Sequence, residues 1–315
     1  MKHKDHIPGL LVVCVTAFVS VYISTINASF DALVLSIIIG MVLNNLLGGM
    51  ETFRKGADTA IRIFLPSGIA LYGTQLSLAG MRTGLFLSIV IIFIAMFSVT
   101  LLLSRVFHLN EKISILLASG VAVCGASAIA IISPLIGSKR EDTSISILSV
   151  MMLGLLGMIF YPMVYDLFPF TKNEFGFFAG ATLPMIGQVK IAAGNVSPDI
   201  VSAALQIKLV RVAFLIVLIP LVMIVSNRGE RRITVPWFVV AFIVVSFLSN
   251  VLRQFDGLFA WGRTFSTFFL SAGLAAIGLS VDFESVVDEG IAPFGVIFVS
   301  WLSVVVTIFL FRNIW

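Results

Sequence analysis

Long apolar runs separated by short polar stretches recur from one end of the chain to the other. They predict membrane segments over residues 9–26, 32–47, 63–78, 84–107, 113–136, 144–165, 175–194, 200–225, 236–251, 264–279 and 291–311. Each is long enough, or nearly so, to cross a hydrocarbon core of about 30 Å as a helix. The predicted fold is therefore an all-α polytopic membrane protein of 10–11 membrane segments. The first run follows Lys2 and Lys4 in the manner of a signal peptide, but it is long and no small-residue cleavage pattern follows it, so it reads as a retained span. With the N-terminus in the cytoplasm and every segment crossing, the inner loops hold Lys2, Lys4, Arg54, Lys55, Arg62, Arg105, Lys112, Lys172, Arg228, Arg231 and Arg232. The outer loops hold Arg82, Lys139, Arg140, Arg253, Arg263 and Arg312, a smaller set, as the positive-inside rule requires.

Composition sharpens this picture by exclusion. Of 315 residues 59% are hydrophobic and 11% charged, with a mean hydropathy of +1.11, against about 25% charged residues in soluble domains. A soluble enzyme is excluded. The net charge of +4 does not point to nucleic acid, because the basic residues are spread through short inter-segment stretches. Cys14 and Cys124 lie inside apolar runs, and His3, His6 and His108 lie outside them, which leaves no disulfide framework and no metal-ligand cluster. No cofactor is expected. The expected partners are the lipid bilayer of a cell inner membrane and a small solute, with a homodimer left open.

Two stretches match after a shift of 205 positions: Gly68-Ile-Ala-Leu-Tyr-Gly73 and Gly273-Leu-Ala-Ala-Ile-Gly278. They end the third and tenth segments, which run in opposite directions, as an inverted-topology repeat requires. On this reading residues 1–315 form one transporter domain, with halves at 32–165 and 175–311 and an extra N-terminal span at 9–26.

Two segments break the apolar pattern. The fifth carries Gly120, Gly125 and Pro134, and the seventh carries Pro184, Gly187 and Gln188. Proline cannot donate to the helical ladder and glycine commits weakly to a helix, so both segments are expected to open, near Cys124 to Ala126 and near Pro184 to Gln188. Whether they cross as broken helices or re-enter as hairpins stays open. Backbone opened at membrane depth persists only where it lines a polar cavity or is buried in protein, and the N-termini of half-helices bind anions. Lys208 and Arg211 lie three apart on one face of the eighth segment, deep for cations facing lipid, and Lys190 lies near the seventh-segment break. No Asp or Glu falls at the middle of a segment, so the intramembrane charge is positive and suits an anion. Cys124 and Ser127 have no His or Asp placed to activate them, and catalysis is not expected. The candidate substrate-binding set is Cys124, Gly125, Ala126, Ser127, Thr182, Gln188, Lys190, Lys208 and Arg211.

At Val123-Cys-Gly-Ala-Ser-Ala-Ile129, Gln188-Val189 with Ala192-Ala-Gly194, Val196-Ser-Pro-Asp199, Lys208-Leu-Val-Arg211 and Ile233-Thr-Val-Pro-Trp-Phe238, the sequence resembles the YeiH-type family, whose members carry the name sulfate exporter. The resemblance runs from about Pro8 to the C-terminus. It implies the cation/proton antiporter and anion transporter superfamily, with inverted repeats, interrupted helices and a midplane site. The function it implies is secondary transport of a small anion, such as sulfate or an organic sulfonate or carboxylate, by alternating access. An anion channel or a sensor using the same cavity is the alternative. Thr182, Gln188, Lys208 and Arg211 match family positions, whereas Lys190 does not carry over. Pro184 and Met185 stand where family members carry a His-Glu pair, so coupling by that pair is not available to this chain.

Overall fold

The computed structural model describes residues 6–26, 30–46, 51–75, 83–168, 170–226, 237–279 and 291–310. Among them the regular structure is helical: α1 (Ile7–Ile26), α2 (Ala32–Leu46), α3 (Glu51–Tyr72), α4 (Thr83–Val106), α5 (Glu111–Ala122), α6 (Ala126–Leu135), α7 (Arg140–Leu167), α8 (Lys172–Thr182), α9 (Ile186–Val196), α10 (Pro198–Ala213), α11 (Leu215–Ser226), α12 (Trp237–Val251), α13 (Asp256–Gly278) and α14 (Ala292–Leu310). The fold is the expected all-helical polytopic one. Apolar helices long enough to cross a membrane lie at Ile7–Ile26, Phe86–Val106, Arg140–Leu167, Pro198–Ile224 and Ala292–Leu310. On α1, Leu11, Val15, Phe18 and Tyr22 are exposed along one face while Val13, Ala17 and Ser20 are buried on the other. A helix that is apolar on its exposed face as well as its buried one is suited to lipid.

Three boundaries differ from expectation. The third segment begins earlier, at Glu51, so that Arg54, Lys55 and Arg62, expected in an inner loop, are helical. Their side chains are exposed while Gly56, Ala57 and Ala60 are buried. A hydropathy window averages over such an amphipathic turn and misses it. The tenth segment likewise starts at Asp256, and the eighth is divided at Phe214 into α10 and α11.

The chain forms two compact units, each drawing on both halves of the sequence. The first comprises Met1–Leu76, Ser133–Ser144 and Ile219–Glu289. Its centre is α13 packed on α3 and α2, with α12 and α1 against α3. Small residues let these backbones approach. A Cβ on Gly73 would meet Phe242 O and Ser246 N, and a Cβ on Gly278 would meet Ile37 O and Met41 N. A Cβ on Gly68 would meet Leu270, and one on Gly273 would meet Leu65. Adding 205 to Ile37, Met41, Leu65, Gly68 and Gly73 gives Phe242, Ser246, Leu270, Gly273 and Gly278, so the contact set maps onto itself under the shift that relates the two matching stretches. That reciprocity is what a two-fold relation between α2–α3 and α12–α13 produces.

The second unit comprises Ser77–Ile132, Ile145–Leu218 and Gly290–Trp315. Here α10 packs on α8 and α9, α4 on α5, and α14 on α4, where the Thr100 and Ser300 hydroxyls are 3.0 Å apart. The pairs Tyr165–Phe175, Tyr161–Phe178 and Gly154–Gln188 show α7 running antiparallel to α8 and α9.

Gly278→Val and Gly73→Val are each expected to lower stability by about 1 to 3 kcal/mol or more through overpacking, read as a fall in the thermal unfolding midpoint in detergent. Gly295→Ala, where a Cβ meets nothing within 4 Å, should leave the midpoint near the parent value.

Candidate functional site

Helix α5 stops at Ala122 and α6 restarts at Ala126; α8 stops at Thr182 and α9 restarts at Ile186. Both expected interruptions are therefore present, slightly N-terminal to where Gly and Pro placed them, at 123–125 and 183–185. Gly125 has φ +67, and its N–H donates to Gly120 O across the end of α5 at 2.8 Å. This is the left-handed turn that glycine takes without Cβ strain at a helix C-terminus. Pro184 follows α8 and cannot continue it. The two breaks touch: a Cβ on Gly125 would lie 2.8 Å from Met185 Cγ and 3.5 Å from Pro184 O.

A helix that ends in water leaves its last carbonyls to solvent, whereas one that ends at membrane depth needs protein donors. At the end of α5 every such carbonyl is accounted for. Ser119 O accepts from Val123 N–H and Gly120 O from Gly125 N–H. Val121 O accepts from Arg211 Nη2, Ala122 O from Arg211 Nε at 3.1 Å, and Val123 O from Lys208 Nζ at 2.6 Å. The end of α8 converges on the same two side chains. Leu183 O accepts from Lys208 Nζ and from Arg211 Nη1, both at 2.9 Å, and Gly180 O lies 3.5 Å from Arg211 Nη1. Both cations are fully buried, as their depth in the eighth segment led us to expect. Helix C-termini carry partial negative charge, so the placement is electrostatically favourable as well as hydrogen-bonded.

Arg211 has five N–H donors. The four carbonyls and Met96 Sδ, 3.8 Å from Nη2, occupy all five. With its donors placed on these partners, Arg211 in this structure faces two helix ends. Its task in this structure is to cap two helices.

The N-terminal sides of the breaks are built differently. The residues preceding α6 and α9 are Gly125 and Met185, neither of which carries an oxygen to cap the first turn. Gln188 folds back so that its Oε1 accepts from Met185 N–H at 3.1 Å, which fixes the amide orientation and leaves Nε2 as a donor at the start of α9. Gln188 is 4% exposed. Its amide lies flat against Gly154 of α7, where any Cβ would collide with it. Ser127, half-buried, stands in the first turn of α6.

The remaining candidates sort as follows. Cys124, Gly125 and Ala126 sit at the fifth-segment break, and Cys124 lies within electrostatic reach of both cations. The Thr182 hydroxyl donates to Phe178 O and bonds Tyr161 Oη, 2.5 Å away, so it holds the end of α8. Lys190 is exposed on α9 and is not gathered with the buried cations; nearness in sequence to Pro184 did not bring it there, because α9 resumes at Ile186 and turns that position outward. Gly154, Tyr161 and Met96 were not foreseen. A glycine in a long apolar helix is the one signal that could have found Gly154.

Residues 8–297 match the family described as Conserved hypothetical protein 698. Among its relatives are the UPF0324 inner membrane protein YeiH of Escherichia coli K12, 31% identical over 95% of this chain and 91% of the relative. The UPF0324 membrane protein OB3406 of Oceanobacillus iheyensis is 30% identical over 80% and 78%, and SAS0317 of Staphylococcus aureus is 28% identical over 93% and 92%. No solved structure matches. The chain belongs to this UPF0324 family of membrane proteins, the YeiH-type family that its motifs resemble.

Arg211→Gln is expected to cost at least about 3 kcal/mol, because it strips donors from carbonyls that stay buried. Arg211→Lys should not restore the loss, since an ammonium has three donors and no planar fork. The thermal midpoint of the purified variants in detergent checks both.

Proposed function

We propose that this protein is a secondary transporter of a small anion, whose site is the pair of helix N-termini at the breaks. One contrast carries the reading. Every carbonyl at the end of α5 has a donor, while α6 and α9 begin behind Gly125 and Met185, which carry no oxygen for the first-turn N–H groups; Gln188 Oε1 takes only the Met185 N–H. The positive ends of two helices, side by side at membrane depth, call for negative charge. The Gln188 amide and the Ser127 hydroxyl add directed neutral donors, and Lys208 and Arg211 add potential from behind the carbonyl ends. Such donors fit a sulfate, sulfonate or carboxylate. The pseudo-repeat in the first unit is the feature that alternating-access carriers use to exchange two related conformations. On this reading the protein resides in the inner membrane with its N-terminus in the cytoplasm, and it is not an enzyme.

Thermal unfolding of the purified protein against a panel of small anions at constant ionic strength tests the reading, since a ligand that binds the folded state raises the midpoint. A selective rise for one class of oxyanion, with saturable counterflow of that anion in proteoliposomes, is expected. Stabilisation without counterflow would indicate a channel or sensor, and no selective stabilisation would remove the anion site. Gln188→Ala and Gly154→Ala should each weaken that binding by about 1 to 3 kcal/mol, the first by deleting the amide and the second by displacing it. Equal affinity in all three proteins would take Gln188 out of the site.

A further inference from the structure

The cations behind the breaks differ in one property. Arg211 holds its charge at every accessible pH, whereas a lysine amine can be neutral or charged. Lys208 Nζ has two acceptors, Val123 O at 2.6 Å and Leu183 O at 2.9 Å. A neutral amine has two N–H groups, which match those carbonyls and leave its lone pair in the remaining tetrahedral direction; an ammonium places a third N–H there. The two carbonyls therefore saturate the neutral amine, while the ammonium has one further N–H that neither of them takes.

Charge counting separates them. Each helix C-terminus carries roughly half an elementary negative charge, so the ends of α5 and α8 together balance about one cation. Arg211 supplies that one permanently. A second positive charge on Lys208 is without a counter-charge: among the described residues no carboxylate lies within ion-pair distance of either group. The titratable and charged neighbours are few. Arg211 shares the face of α10, Cys124 lies at the fifth-segment break, and Tyr161 on α7 bonds Thr182. The packed elements otherwise present Arg105 on α4, Glu111 and Lys112 on α5, Lys172 and Glu174 on α8, and Lys190 on α9, at helix ends or exposed, while α14 carries no titratable side chain. An anion in the breaks, which begin at the very residues, Val123 and Leu183, that hold Nζ, would supply that counter-charge.

We propose that Lys208 is the proton-carrying group of this protein, taking up a proton on Nζ when an anion enters the breaks and releasing it when the anion leaves. The proposal rests on the anion-site reading above. A proton passes from water to the amine lone pair on binding and returns to water on release, so the reaction balances with no further reactant. An opposite charge nearby favours the protonated amine, and by linkage protonation raises anion affinity by the same factor. The transported unit is then anion plus proton, and a monoanion crosses without net charge.

The test uses the purified protein in weakly buffered detergent solution with a pH indicator, and sulfate, acetate and methanesulfonate as probes. The parent should take up close to one proton per anion bound at a pH between the anion-free and anion-bound midpoints of the Lys208 titration, and its affinity should change up to about tenfold per pH unit there. Lys208→Arg, a fixed cation that keeps donors for both carbonyls, should bind with no proton uptake and a change below about twofold per pH unit. Anion binding without uptake in the parent, or uptake that persists in Lys208→Arg and vanishes in Cys124→Ala, overturns the proposal and leaves the anion site standing. If no probe binds, the anion reading fails by itself. Anion-free acid–base titration then decides for Lys208: the parent should exchange one more proton than Lys208→Met and Lys208→Arg between pH 5 and pH 10, and identical curves overturn the assignment.

Discussion

Two helices that stop in the buried interior leave carbonyl groups that neither lipid nor water reaches, and the pairing of those groups with Lys208 and Arg211 is the constraint on which the second unit depends. Without it the ends of α5 and α8 would each bury several unpaired acceptors, at a cost of about 1 to 3 kcal/mol apiece. With it, two cations that lipid would reject are held by carbonyls and by the negative ends of two helices. Each half of the bargain makes the other tolerable. Both cations reach both helix ends, Lys208 through two carbonyls and Arg211, with its rigid five-donor geometry, through four.

That pairing divides the breaks into a finished side and an open one. The carbonyl side is saturated, and the amide side is arranged but not closed: Gly125 lets the backbone turn at φ +67, Met185 precedes α9 without an oxygen, and Gln188 is pinned between Met185 N–H and Gly154. A fold that only needed to tolerate two breaks would place Ser, Thr, Asp or Asn before each new helix, as Thr171 does at the start of α8 with Glu174 completing the box. At α9 Gln188 supplies the same reach-back to the preceding backbone N–H that Glu174 supplies at α8, while neither Gly125 nor Met185 carries an oxygen for the first-turn N–H groups.

Much of this was legible in the sequence for identifiable reasons. Apolar runs report spans because the bilayer admits little else, and Gly125 and Pro184 report breaks because their backbone chemistry is special. The pair Lys208 and Arg211 announced an interior role because their depth forbade a lipid-facing one. The direction of that role was not legible. Whether a buried cation faces a ligand or a helix end depends on which carbonyls lie within reach, and spacing along one helix carries no such information. Lys190 shows the converse: two turns past a proline is a position along the chain, and the restart of α9 at Ile186 decides where its side chain points. The shift of 205 was visible in glycine-flanked stretches only; Ile37 with Met41 and Phe242 with Ser246 share no residue type, and what relates them is backbone geometry.

The central claim is that the anion sits on the N-terminal side of the breaks with both cations still bound to carbonyls. A crystal structure of the protein soaked in selenate, with anomalous scattering to locate selenium, tests it most directly. The account predicts a peak within hydrogen-bonding reach of the first-turn N–H groups of α6 and α9, with Arg211 unmoved on Val121, Ala122 and Leu183. A peak on the guanidinium of Arg211, released from those carbonyls, would contradict it.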